Sequence, residues 1–63
     1  MRENLRKARK EAGMTQKAVA EYLGIAENHY QKIEYGTIIG TIQQWDRLED
    51  LFRIHQRKLR EIE

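Results

Sequence analysis

Glycine occurs at positions 13, 24, 36 and 40 and nowhere else, and each of the first three closes a stretch whose apolar residues recur at helical spacing. There is no proline to break the chain elsewhere. This punctuation predicts short helices separated by glycine turns, an all-α fold in which any β-sheet would be out of place. Five segments carry the period. The first runs from about Arg2 to Ala12 and stops at Gly13. Thr15 opens the second, Gln16 to Leu23, as an N-cap. The third follows Gly24 almost at once, from Ala26 to Glu34, and ends near Gly36. Thr41 and Gln44 have the spacing of a capping box and open the fourth, Ile42 to about Phe52. The last, about His55 to Ile62, is short and highly charged.

The 63 residues make a single domain, 1–63. A chain this short buries only about 60% of the surface its unfolded form exposes. Without cysteine there is neither a disulfide nor a thiolate-bound metal to staple it, so tight helix packing and self-association are the remaining sources of stability. Met1-Arg2-Glu3-Asn4-Leu5-Arg6 is already charged and periodic, unlike a signal peptide, and no apolar run approaches the roughly 20 residues of a membrane span. A cytoplasmic protein is the expectation. Twelve basic against ten acidic residues give a net charge of +2, which suits a nucleic-acid binder and a salt-bridged helical protein equally. Pattern, not charge, carries the functional argument.

At about 100° per residue the helix faces separate. Leu5, Ala8, Arg9 and Ala12 share one side of the first helix; Ile42, Trp45, Leu48 and Phe52 form a stripe on the fourth with Leu51 beside it; His55, Leu59 and Ile62 share a side of the fifth. The third helix divides most sharply. Glu27, Asn28, Gln31, Lys32 and Tyr35 fall within an arc of about 140°, opposite His29, Ile33, Ala26, Tyr30 and Glu34. One face is long and rich in hydrogen-bonding groups; the other is built to pack. Any amphipathic surface helix has this form, so the third helix alone does not specify a function. Read with the second it says more. Ala20 is small enough for a close crossing and Gly24 tolerates a tight turn, while Val19, Leu23, Ile25, Tyr30 and Ile33 supply apolar contacts that fix a steep angle.

Gly13-Met14-Thr15-Gln16, Val19-Ala20, Leu23-Gly24-Ile25, Tyr30 and Ile33-Glu34-x-Gly36 resemble the phage-repressor-like (Cro-type, xenobiotic-response-element) helix-turn-helix family of bacterial and phage regulators. Leu5-Arg6-x-Ala8-Arg9 is similar to that family's first helix, and Leu48, Phe52, Ile54 and Leu59 to its last two. The resemblance implies a compact five-helix, lambda-repressor-like DNA-binding domain whose helices 2 and 3 form the helix-turn-helix. It implies a sequence-specific double-stranded-DNA-binding transcriptional regulator, a repressor working as a homodimer, with helix 26–34 in the major groove and helix 2 across the phosphates. Carried over by position, Glu27, Asn28 and Lys32 fall at base-reading places and Gln16 at a phosphate-contacting place, with Gln31 on the same polar face. The chemistry suits these roles. Asn pairs with adenine, Lys donates to guanine and Glu accepts from cytosine N4.

Three departures stand out. Ala26 replaces a capping Ser or Thr; Glu27 sets an anion toward a polyanion; and the 35–40 loop lacks Lys and Arg but carries Ile38 and Ile39. These keep an alternative open, an antitoxin- or adaptor-type protein-interaction module that retains the fold.

Arg9 lies on an apolar stripe, and a buried guanidinium needs an anion. Glu34, the one acid on the packing face of the third helix, is the expected partner, as the resemblance also implies. His29 and His55 lack cysteine partners and one-turn spacing, so a solvated or half-buried role is favoured over metal ligation. Trp45 belongs to the core or a dimer contact. Arg2, Arg6, Lys7 and Lys10 read as a solvated face rather than phosphate ligands, and Arg53, Arg57, Lys58 and Arg60 as ordinary helix salt bridging. No nucleophile–base pair, paired carboxylates or phosphate-cradling loop supports an enzyme, and neither cofactor, metal nor small-molecule ligand is expected. Ile38, Ile39, Leu59 and Ile62 are the expected self-association residues.

Overall fold

A computed structural model describes residues 1–62. Its five helices are α1 (Glu3–Glu11), α2 (Gln16–Leu23), α3 (Glu27–Tyr35), α4 (Ile42–Phe52) and α5 (Gln56–Leu59), and no strand occurs among the described residues. The local signals act as expected. The Thr15 hydroxyl accepts from the Ala18 N–H at 3.0 Å and starts α2. At α4 the Thr41 hydroxyl accepts from the Gln44 N–H at 3.1 Å while the Gln44 side chain accepts from the Thr41 N–H at 2.9 Å, closing the capping box. Ala26 is the N-cap of α3 and offers no side-chain bond.

Two glycines set the turns around α3. Gly24 sits at φ 74°, a conformation that costs a side-chain-bearing residue energy, and lets the Ile25 N–H reach back to the Ala20 carbonyl at 3.0 Å. Gly36, at φ 85°, does the same for the Thr37 N–H and the Lys32 carbonyl at 2.9 Å. The chain therefore reverses sharply at both ends of α3, leaving α3 seated on α1 and α2 with one side outward.

The core is Leu5 and Ala8 of α1, Val19, Ala20 and Leu23 of α2, Tyr30 and Ile33 of α3, Trp45 and Leu48 of α4, and Leu59 of α5. Trp45 is its largest member, and its indole N–H donates to the Ile39 carbonyl at 2.7 Å, pinning the 37–40 loop over α4.

Several details differ from the sequence expectation. The last helix is one turn, not two; Leu59 is its one buried residue, too little packing to hold a longer helix. Leu59 itself is 0% exposed and so unavailable for self-association. Ile38 packs, half-buried, on the core. Ile42, by contrast, is 78% exposed, because it starts α4 and its first turn overhangs the core that Trp45 and Leu48 fill. His29 is exposed rather than on the packing side, which narrows to Tyr30, Ile33 and Glu34. Arg53, Arg57, Lys58 and Arg60 form no ion pair among the described residues: Arg53 is the left-handed C-cap of α4, outside the helical spacing, and a one-turn α5 does not hold the spacing for the other three.

Candidate nucleic-acid interface

The inner side of α3 is fixed by a single carboxylate. Glu34 is buried and accepts from four donors: Arg9 Nε at 2.7 Å, Arg9 Nη2 at 3.3 Å, the Tyr30 hydroxyl at 3.0 Å and Gln16 Nε2 at 2.7 Å. Arg9 also donates to the Met14 carbonyl at 2.9 Å, so the pair joins α1, the start of α2 and α3. Burial alone pushes the Glu34 carboxyl up. The bonds from Arg9, Gln16 and Tyr30, with the attraction of the guanidinium, outweigh it and hold the group below the usual carboxylate range. The same bond to Glu34 raises Arg9, and burial, reinforced by the carboxylate, pushes the Tyr30 phenol far up. Among the described residues no buried side-chain polar atom is left without a partner. The expected contact between Arg9 and Glu34 is thus present, and it is an ion pair whose lone pairs are filled.

The outer side of α3 is open. Glu27, Asn28 and Lys32 are exposed, Gln31 is half-buried, and Tyr35 is exposed near the far end. Glu27 stands in the first turn, where the helix dipole favours an anion. Gln16, half-buried at the start of α2, meets α3 directly, because Gln31 Nε2 donates to its Oε1 at 3.1 Å. The structure therefore brings Gln16 and Gln31 together, and sets Glu27, Asn28 and Lys32 beside them without mutual hydrogen bonds among the described residues.

A groove of about 330 Å³ runs between α3 and the following loop, lined by Ala26, Asn28, His29, Lys32 and Ile38. His29 belongs to this outer surface. Helical periodicity alone misplaced it because it lies at the border of the two faces, and only the position of the 37–40 loop decides that nothing covers it. A larger open depression lined by Glu49, Asp50 and Arg53 is mostly acidic and ill suited to a polyanion. Among the described residues no group of three or more His, Cys, Asp or Glu is placed to hold a metal ion, and no helix is long and apolar enough to cross a membrane.

Arg2 corrects a sequence expectation. It is not on a solvated face but 3% exposed, donating from Nε to the Arg60 carbonyl at 3.1 Å and from Nη1 to the carbonyls of Ile33 at 2.6 Å and Ile38 at 3.0 Å. Its guanidinium also lies 5.3 Å from the centroid of the Trp45 ring. The sequence held one hint. A cation immediately before a helix opposes the helix dipole, which signals a partner elsewhere.

A family model described as helix-turn-helix matches residues 5–59, from the core leucine of α1 to that of α5. No curated protein and no solved structure matches the chain.

Proposed function

We propose, from the premise that the chain belongs to the phage-repressor-like helix-turn-helix family of DNA-binding regulators, that it is a sequence-specific repressor which inserts α3 into the major groove of duplex DNA. One observation carries the reading. The inner face of α3 is clamped by the Glu34 network while Glu27, Asn28 and Lys32 project outward from a rigidly held helix. A reading helix needs this combination, because base-edge hydrogen bonds are lost if the helix can roll. In this arrangement Asn28 and Lys32 contact base edges and Glu27 accepts from a cytosine amine. The Gln16 amide, with one of its two N–H groups on Glu34, offers the other to a phosphate at the start of α2.

Specific recognition requires more contacts than one small domain supplies, since non-specific affinity is about 10⁻⁴–10⁻⁶ M at physiological salt. The domain 1–63 accordingly acts as a homodimer on half-sites about 34–36 Å apart. Among the described residues the most exposed large apolar side chains, Ile39 at 71%, Ile42 at 78% and Ile62 at 58%, are available to pair two copies. The same isoleucines, with a 35–40 loop free of cations, favour the second reading, a protein-interaction module of antitoxin or adaptor type.

Selection from randomised duplexes, followed by titration at several salt concentrations, separates the two. Alanine at Asn28 or Lys32 is expected to cost about 1–3 kcal/mol of binding and to relax preference at one base position each. Variants that bind the selected duplex as the parent does, or binding that is flat in salt, would reject the groove-reading function.

A further inference from the structure

The hydrogen-bonded chain that begins at Arg9 does not stop at the buried ion pair. It continues through Gln16 to Gln31 on the outer face of α3. Each link has a direction, and the direction is forced. An ionised carboxylate only accepts, so the Gln16 amide must turn its Nε2 toward Glu34 Oε2, which lies 2.7 Å away. With the nitrogen committed inward, Gln16 Oε1 faces α3. An oxygen there requires a donor, so Gln31 must turn its own Nε2 to it, at 3.1 Å. The Gln31 carbonyl is then directed away from Gln16, and it takes no hydrogen bond among the described residues. A free glutamine presents donor and acceptor interchangeably by rotating its amide; reversing this one would set its oxygen against Gln16 Oε1, and reversing Gln16 with it would only move the clash to Glu34 Oε2.

We infer that Glu34, acting through Gln16, sets the amide of Gln31 so that Gln31 reads the major groove as an acceptor and selects a base bearing an exocyclic amine. The inference rests on the groove-reading function proposed above and adds a chemical class to it. Adenine N6 and cytosine N4 are the amines the major groove exposes, whereas guanine O6 and thymine O4 are acceptors and meet the Gln31 carbonyl with repulsion. Glu34 and Gln16 are in this respect positioning residues, and the buried carboxylate has a role in specificity as well as in folding.

Two measurements on the full chain test this. The first needs no DNA. Side-chain amide ¹H–¹⁵N spectra of the parent are expected to show the Gln16 and Gln31 NH₂ pairs dispersed and slow to exchange. In Gln16→Met, which leaves the Arg9–Glu34 pair in place, the Gln31 pair is expected to collapse to the position of a free glutamine. Glu34→Gln, where it folds, is expected to move both pairs. A Gln31 pair that is unchanged in Gln16→Met breaks the chain and overturns the inference.

The second uses duplexes selected from a randomised pool, with each base pair of the site replaced in turn. At the position lost in Gln31→Ala, the parent is expected to favour amine-bearing bases by roughly five- to tenfold, the low end for a base-edge contact. Replacing adenine there by purine, which lacks only the amine, is expected to remove that advantage. Gln16→Met lowers affinity for all sites alike through its lost phosphate contact, but its ratio at this one position is expected to fall toward one. A sequence-selective parent with no amine preference there, or a Gln16→Met ratio equal to the parent's, overturns the inference alone. A parent that discriminates among no duplexes overturns the groove-reading function itself, while the amide spectra still decide whether the chain of bonds exists.

Discussion

Arg2 and Arg9 are both buried and both bind α3, yet they are held in opposite ways. Arg9 meets a carboxylate, Glu34, through two of its nitrogens at 2.7 and 3.3 Å. Among the described residues Arg2 meets no anion. Its partners are the carbonyls of Ile33, Ile38 and Arg60 and the face of Trp45, and its backbone N–H donates to the Glu34 carbonyl at 2.8 Å. Ile33 stands in the last turn of α3 and Arg60 caps α5, so the Arg2 guanidinium sits where two helices end and leave carbonyls to be satisfied. Burial lowers the Arg2 pKa, with the charge of Arg60 adding to the effect, whereas the bond to Glu34 raises that of Arg9. Arg9 organises the three helices that present α3. Arg2 ties the N-terminal residues to α5, the 37–40 loop and Trp45. The contrast teaches that a buried cation is satisfied either by an opposite charge or by carbonyls gathered at helix ends, and that the two arrangements should fail differently.

The largest expected effect is at the ion pair. Glu34→Leu strands the Arg9 charge in the core and is expected to cost about 3–5 kcal/mol, enough to unfold much of so small a domain. Adding Arg9→Met to it should recover part of that loss, measured by urea unfolding of the single and double variants. Acid sharpens the point. Because Glu34 titrates lower in the folded chain than in the unfolded one, its contribution is present above the ordinary carboxylate range and fades as pH falls through its depressed value. The acid sensitivity of stability should therefore be smaller in the Arg9→Met/Glu34→Leu variant and intact in Arg2→Met. Equal acid sensitivity in all three would break the comparison.

Arg2→Met is expected to rank second, at about 2–3 kcal/mol, because the carbonyls it abandons are neutral and two of the three bonds are only partly buried. Arg2→Lys should rescue little, since an ammonium has no fork to reach the Ile33, Ile38 and Arg60 carbonyls together. Thermal unfolding of both variants checks this, and a cost matching that of Glu34→Leu would remove the distinction.

The smallest effect is at the exposed pair on α1, where Arg6 Nη1 lies 3.3 Å from Glu3 Oε1. Glu3→Gln should change stability by no more than about 0.5 kcal/mol, and by less at high salt. A larger change would mean that pairing itself, and not burial, makes Arg9 important.

Much of this protein was readable residue by residue. Thr15, Thr41 with Gln44, Gly24 and Gly36 bound their helices as local rules require, and Arg9 on an apolar stripe pointed to Glu34 because a buried charge demands an opposite one. These signals act within one helical turn or through complementary charge, and both are written in side-chain identity. Coverage is not. Ile42 and Leu59 both lie on apolar stripes, yet one is left bare and the other is sealed, because that depends on which element crosses overhead. His29 emerged and Gln31 found Gln16 for the same reason. Arg2 is the extreme case. Its partners are backbone carbonyls, which every residue carries, so no letter of the sequence marks Ile33, Ile38 and Arg60 as the ones. Only the tertiary structure, by bringing two helix ends and a loop to one point, made a place where carbonyls hold a buried cation.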